Sequence, residues 1–271
     1  MRKASNPGTR VAAFFDLDGT LLAPPSLERR FLRYLRWRGA LTIGQGACWF
    51  ARFVYRVWRA VLPGETAEAA WLAATQANKA HLAGLSAASA EAFAASLARR
   101  PLEFFDAALQ RLEWHAAQGH RIFLVSGTLG PLSEAVARHL LLATPCATQL
   151  EVAEGRWTGE VDGEAVCGPE KARALERLAA EHRLDLDASY AYGNSWSDRW
   201  MLERVGHPAA VNPSARLARR RGWTVLRWRK ASLPRGRRTT EAKLRGEATE
   251  ASGRNTALAA FPITATGERK K

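Results

Sequence analysis

The chain has 271 residues, 47% of them hydrophobic, and a formal net charge of +14. That length suits one sizeable core with an inserted subdomain, or two small domains, and no run of about 20 uncharged apolar residues offers a transmembrane helix. Three scattered cysteines, Cys48, Cys146 and Cys167, make no CxxC pair, which argues against a zinc site or a disulfide frame and fits a reducing compartment.

In chain order, residues 1–10 are polar with no apolar signal region, so a cytoplasmic location is expected. Val11–Phe15 is a short apolar run that predicts a buried strand, and it leads straight into "DLDGT". From Leu27 to about Arg100 the sequence is rich in Ala, Leu, Trp and Arg at helical spacing. Pro63-Gly64, Gly84 and Pro101 punctuate it, which predicts several helices and no strand. Pro101–Gly119 predicts a helix ended by Gly119. Arg121–Val125, "RIFLV", predicts a second buried strand, followed by "SGT" and a helix over Leu132–Leu142. "QLEVAEGRWTGEV", residues 149–161, alternates and turns at Glu154-Gly155 as a hairpin does. Pro169–Glu181 predicts a helix, Ser189–Tyr192 a strand ending in "GNSWSD", and Arg199–Arg204 a helix. Ala209–Val211 and Thr224–Arg227 read as short edge strands.

Strands alternating with helices predict an α/β fold, a Rossmann-like parallel sheet flanked by helices, with an all-helical cap inserted after the first strand. The expected organisation is a core of residues 1–25 and 101–230, a cap of 26–100 and a basic, disordered tail of 231–271. Arg216–Lys271 holds 16 Lys/Arg against 4 Asp/Glu, a net +12, so the first 215 residues carry only about +2. Basic runs such as "RKASLPRGRR" are usually solvated, and without an RNA-binding signature they predict no specific nucleic acid.

"DLDGT", "SGT" and "GNSWSD" each follow a strand, at the carboxyl edge where open α/β sheets bind ligands. Alternation points Asp16 and Asp18 the same way. Two like charges so close mark a cation site, an acid/base pair or a solvated turn. Taken together and in order, "DLDGT", "SGT", Lys171 in "GPEKARAL" and "GNSWSDRWML" resemble the four motifs of the haloacid dehalogenase-like superfamily. The resemblance covers about residues 11–211, and the insertion and hairpin look most like its phosphoserine-phosphatase-like branch, subfamily IB.

The resemblance implies a Mg2+-dependent phosphomonoester hydrolase acting on a small phosphorylated metabolite. Asp16 is the implied nucleophile, forming an aspartyl-phosphate, and Asp18 the implied general acid and base. Lys171 neutralises Asp16 and the phosphoryl group, where by itself it reads as a surface lysine of a helix's first turn. Ser126, with the Gly127 and Thr128 amides at a helix start, binds phosphate, although Ser126 also reads as a plain helix N-cap. The implied metal ligands are Asp16, Asp18 through its carbonyl, Asn194 and Asp198.

Two positions depart from the family pattern. Many relatives have an acid where this chain has Asn194, and an amide oxygen binds magnesium without bringing charge. Phosphoserine phosphatases usually carry a glutamate soon after the nucleophile loop to read the substrate amine, whereas "LLAPPSLE" puts Pro24-Pro25 there and Glu28 later.

Within the expected cap, Cys48–Leu62 sets Arg52, Arg56 and Arg59 in one basic stripe beside Trp49, Phe50, Phe53, Val54, Val57, Trp58 and Val61. This reads as a packed cap helix or as an interfacial helix that docks on an anionic membrane. The alternatives to a metabolite phosphatase are therefore a lipid-phosphate phosphatase at a membrane surface, and a weakly active scaffold that binds membrane or nucleic acid through its tail. His115, His120 and His139 have no mutual metal spacing and are expected on solvated faces.

Overall fold

The computed structural model describes residues 10–59, 66–97, 102–140 and 143–229. The tail of 231–271, the Pro63-Gly64 break and the last residues of the 132–142 helix lie outside them. The strands are β1 (Ala12–Phe15), β2 (Arg121–Leu129), β3 (Thr144–Thr148), β4 (Leu150–Ala153), β5 (Arg156–Val161), β6 (Tyr190–Gly193), β7 (His207–Val211) and β8 (Thr224–Leu226). Six of them form one parallel sheet in the order β3-β2-β1-β6-β7-β8, while β4 and β5 pair separately as an antiparallel hairpin.

β1 is central and fully buried, which is why it is an unbroken apolar run rather than an alternating one. Ala13 and Phe15 belong to the core on one face of the sheet, and Ala12 and Phe14 to the core on the other. The helices are α1 (Leu27–Trp37), α2 (Ile43–Arg59), α3 (Ala67–Thr75), α4 (Ala88–Leu97), α5 (Asp106–Ala117), α6 (Gly130–Leu140), α7 (Pro169–His182), α8 (Arg199–Leu202) and α9 (Ala215–Ala218). Ala108 and Leu112 of α5 and Leu132 and Val136 of α6 fill the first core. Leu175 of α7, Leu202 of α8 and Leu217 of α9 fill the second.

Among the described residues, α1 to α5 and a 3-10 turn at Ala80–Leu82 are the regular elements between β1 and β2, and α1 to α4 fall in the stretch that the sequence predicts to be helical. Ser26 caps α1, its hydroxyl accepting from the Arg29 N–H at 3.3 Å, and the helix buries Leu27, Phe31 and Leu35 at helical spacing. Phe31 packs on Phe93 of α4 and edge-on to Trp157 of β5. The hairpin is tied to this helical layer by its backbone. Trp157 N–H donates to Leu85 O at 2.9 Å, and its carbonyl accepts from Gly84 N–H at 2.8 Å. Glu154 and Gly155 make the turn with φ of 49° and 73°, the left-handed pair a tight hairpin requires.

Several expectations change. β3, "TPCAT", is absent from the sequence reading because an edge strand with a proline and half-exposed side chains shows no apolar run. β3 extends the ladder past "SGT", pairing Ser126 with Ala147, so β2 continues to Leu129 and α6 begins only at Gly130. Ser126 is therefore not the N-cap of that helix. β7 is not an edge strand, because β8 pairs along it and takes the edge. α5 begins at Asp106 rather than near Pro101, because residues before it are extended and Phe104 bridges Leu22.

His115 is the largest departure. It is fully buried, with Nε2 2.9 Å from the Tyr192 hydroxyl and Nδ1 2.8 Å from His120 Nδ1. His120 is partly buried beside it, and only His139 lies on an exposed surface, stacked on Phe104. Burial, then the charges of His120 and Arg111, pull the His115 pKa from 6.5 down to about 3. Folding thus holds the ring neutral while the unfolded chain takes up a proton. The fold loses stability as pH drops below 6.5, and goes on losing it down to about 3. Urea denaturation across that range should show this acid limb flattened in His115→Gln, and an unchanged limb would exclude His115 as its source.

Candidate active site

The site forms where the strand order reverses, between β1 and β6. Asp16 follows β1 directly, and its N–H donates to Tyr192 O of β6 at 2.9 Å. After it the backbone turns back, with Gly19 N–H donating to Leu22 O at 2.8 Å. Gly19 has φ of 85°, and a Cβ there would overlap the Asn194 amide, so position 19 admits only glycine without rearrangement.

Lys171 joins three segments. It sits in the first turn of α7, buried, and its ammonium donates to Asp16 Oδ1 and to Asp198 Oδ1, each at 2.6 Å. That rules out the surface-lysine reading. Thr20 Oγ1 donates to the other Asp16 oxygen at 3.1 Å. Asp198 Oδ2 accepts from the Asn194 and Ser195 N–H groups at 3.0 and 2.8 Å and from Ser195 Oγ at 2.7 Å. Both oxygens of Asp198, expected among the metal ligands, are thus engaged by Lys171 and by its own loop. The Asn194 side chain makes no hydrogen bond among the described residues and stands at the wall of the cavity.

Asp18 is held from two sides. Its Oδ1 accepts from the N–H of Leu27, the first residue of α1, at 2.7 Å, and its Oδ2 from Thr128 Oγ1 at 2.8 Å. Ser126 is buried in β2, and its Oγ accepts from the Thr128 N–H at 3.2 Å. Thr128 therefore meets Asp18 through its hydroxyl, a contact that its expected amide role does not contain. Asp16, Asp18, Ser126, Gly127, Thr128, Lys171, Asn194 and Asp198 all line one cavity of about 1240 Å³. Thr20 and Ser195 are the polar partners that sequence reading passed over. Both lie inside quoted motifs, but nothing in the sequence says which hydroxyl reaches which carboxylate.

Burial pushes the Asp16 carboxyl up to about 7, the neighbouring Asp198 charge adds to that, and Lys171 offsets part of it. Burial also raises Asp18, against the hydrogen bonds from Leu27 and Thr128. Burial alone would lower Lys171, but the charges of Asp16 and Asp198 outweigh it and keep the ammonium protonated above the usual lysine range. Three carboxylates face one ammonium, which leaves this buried cluster short of positive charge.

That deficit, with an amide at Asn194 and a carbonyl at Asp18, fits a divalent cation. No three His, Cys, Asp or Glu side chains among the described residues form a ready cage. Magnesium suits such a site, because it is ordinarily held by one or two carboxylates plus water and substrate phosphate.

Comparison with known proteins identifies the family. Residues 13–203 match the haloacid dehalogenase-like hydrolase family. The phosphoserine phosphatase SerB1 of Mycobacterium tuberculosis is 31% identical over 224 residues, spanning 81% of this chain and 71% of that protein. A solved protein of unknown function from Bordetella pertussis Tohama I is similar at 29% identity and TM-score 0.59, over 80% of this chain and 98% of its own. A phosphoserine phosphatase solved as an analogue of its phospho-aspartyl intermediate shares the fold, at 18% identity and TM-score 0.54, over 82% and 95% of the two chains.

Removing Lys171 leaves two buried carboxylates uncompensated. Lys171→Ala should cost about 3–5 kcal/mol of stability in metal-free buffer, read as a lower urea midpoint. A variant as stable as the native protein would show that the clamp carries no such charge. From its matched residues and the geometry of its site, the chain belongs to the haloacid dehalogenase-like hydrolase family, as an enzyme of its phosphatase type.

Proposed function

We propose that the protein is a Mg2+-dependent phosphomonoester hydrolase that works through an aspartyl-phosphate on a small phosphorylated metabolite. The observation that supports it is the Lys171 clamp on Asp16 and Asp198, sharing one cavity with Asp18 and Ser126. An Asp16 oxygen attacks phosphorus while the bond to the leaving alcohol breaks, and Asp18 gives its proton to that alcohol's oxygen. A carboxyl raised by burial suits that proton transfer. Asp18 then takes a proton from water as the water attacks the aspartyl-phosphate, releasing inorganic phosphate and restoring Asp16.

Ser126 Oγ already accepts from Thr128 N–H, so its own proton is free for a phosphoryl oxygen, beside the Gly127 amide. Lys171 holds positive charge against the nucleophile and the phosphoryl group. Asp16, the Asp18 carbonyl and the Asn194 amide would hold magnesium, with Asp198 fixing the Asn194–Ser195 backbone from behind. Bound magnesium supplies the charge that lets a dianionic ester approach an anionic nucleophile.

Glu28 does not favour an amine-bearing substrate. Both its oxygens are held by the Lys79 ammonium, at 2.8 and 2.7 Å. The other acids on the cavity wall, Asp16, Asp18 and Asp198, belong to the catalytic cluster. Purified protein with magnesium should release p-nitrophenol from p-nitrophenyl phosphate, and Asp16→Asn should lower kcat by at least about 10³-fold. Equal rates in the two proteins would sink the proposal.

A second reading places the same chemistry at a membrane surface. No described helix is long and apolar enough to cross a membrane. The observation behind this reading is α2, which buries no residue and exposes Phe50, Val54 and Trp58 in one stripe. Two arginines of its basic stripe are engaged by neighbouring segments. Arg52 pairs with Glu160, and Arg56 donates to the Ala73 carbonyl. Apolar insertion rather than basic charge would then carry the contact. Flotation with vesicles should occur on neutral as well as anionic lipid and weaken in Phe50→Ser/Trp58→Ser. Native protein that stays at the bottom of the gradient ends this reading.

A further inference from the structure

One face of α1 buries Leu27, Phe31 and Leu35. The opposite face carries Arg29, Arg33 and Arg36, exposed, at i, i+4 and i+7, and all three line the cavity that holds Asp16. None has a carboxylate partner among the described residues. Arginines elsewhere are of both kinds: Arg199 pairs with Glu68, Arg204 with Glu176, Arg220 with Glu203 and Arg173 with Glu170, whereas Arg38, Arg138 and Arg183 have no carboxylate partner among the described residues. Like charges one turn apart on a helix repel unless an anion lies between them. A row of them on the wall of a cleft concentrates positive field there.

The spacing gives a length. The N–H of Leu27 is bonded to Asp18, which fixes the start of α1 at the reacting centre. At 1.5 Å per residue, Arg33 lies about 9 Å and Arg36 about 13 Å further along the helix axis. Helical side chains lean back toward the helix N-terminus, so both guanidinium groups reach toward the catalytic end. The same cavity is lined by Leu32, Leu41 and Trp49 and by the polar Thr42, Gln45 and Gln76.

We propose that Arg33 and Arg36, with Arg29 nearer the reacting group, recognise a second anionic group at the far end of the leaving alcohol. The substrate class is a phosphomonoester with a second phosphate or carboxylate about 10 Å from the reacting phosphorus. A three-carbon phosphorylated acid reaches Arg29 at most. This rests on the phosphatase reading above, whose general acid Asp18 marks one end of the span.

The test compares the bisphosphate of a six-carbon diol with the monophosphate of the same diol, under magnesium. The native protein should prefer the bisphosphate by about tenfold or more in kcat/KM, and Arg33→Glu/Arg36→Glu should bring the ratio to parity or below. The ratio does not depend on how much of each preparation is folded. Calorimetric titration of both compounds into Asp16→Asn protein reads the same preference without turnover, and the preference should vanish when the two arginines are also reversed. A ratio near one in the native protein, or a preference that survives the reversal, overturns the proposal. Preferential binding with no turnover of either compound by the native protein would retain the arginine site and remove the hydrolase.

Discussion

A single ammonium between two carboxylates organises this site. Lys171 Nζ lies 2.6 Å from one oxygen each of Asp16 and Asp198, and all three groups are buried. Such a triad costs desolvation free energy and is tolerable only when remaining lone pairs are also satisfied. Here they are: Thr20 serves Asp16, and the backbone and hydroxyl of Ser195 serve Asp198. The triad fastens the end of β1, the first turn of α7 and the loop after β6, so the sheet's carboxyl edge and the site close together. With Asp18 added, the cluster sets three carboxylates against one ammonium.

The second link runs from the site into the helical layer. Asp18 shares its two oxygens between Leu27 N–H at the head of α1 and Thr128 of β2. The carboxyl that would donate the proton is therefore also what anchors α1. Any displacement of α1 changes the hydrogen bonding, and so the acidity, of Asp18. The same helix displays the arginine row, so the acid, the anchor and the candidate specificity residues are one rigid piece. Below the sheet edge, Tyr192 stacks on Phe15 at 4.4 Å and meets buried His115, which stiffens the two strands that carry Asp16 and Asn194.

α1 and α2 divide polarity in opposite senses. α1 buries its apolar stripe and exposes arginines to the cavity. α2 turns Arg52 and Arg56 toward neighbouring segments and leaves Phe50, Val54 and Trp58 exposed. Both helices are amphipathic in sequence, and their periodicity alone is alike. Which face turns inward depends on what the neighbouring segment offers: Leu82, Leu85 and Phe93 pack in the same core as α1's apolar stripe, and Glu160 with the Ala73 carbonyl receives the arginines of α2.

Local signals were enough to read the strand β1, the hairpin turn and the loops that line the cavity from sequence. β1 is an apolar run because both its faces are buried, the Glu154-Gly155 turn needs left-handed residues, and "DLDGT" and "GNSWSD" come at the ends of strands, on the sheet's carboxyl edge. Each of those constraints acts within a few residues, so each leaves a mark in the chain. Tertiary structure alone decided the rest. It extended β2 past Ser126 by laying β3 beside it, buried His115 against Tyr192, and paired Glu28 with Lys79, 51 residues away. It also paired Arg52 and Arg56 of α2 with neighbouring segments and set Arg29, Arg33 and Arg36 of α1 on the wall of the cavity. Those outcomes depend on contacts between segments distant in sequence, where a half-exposed strand, a histidine or an arginine gives the same local signal whichever neighbour it meets.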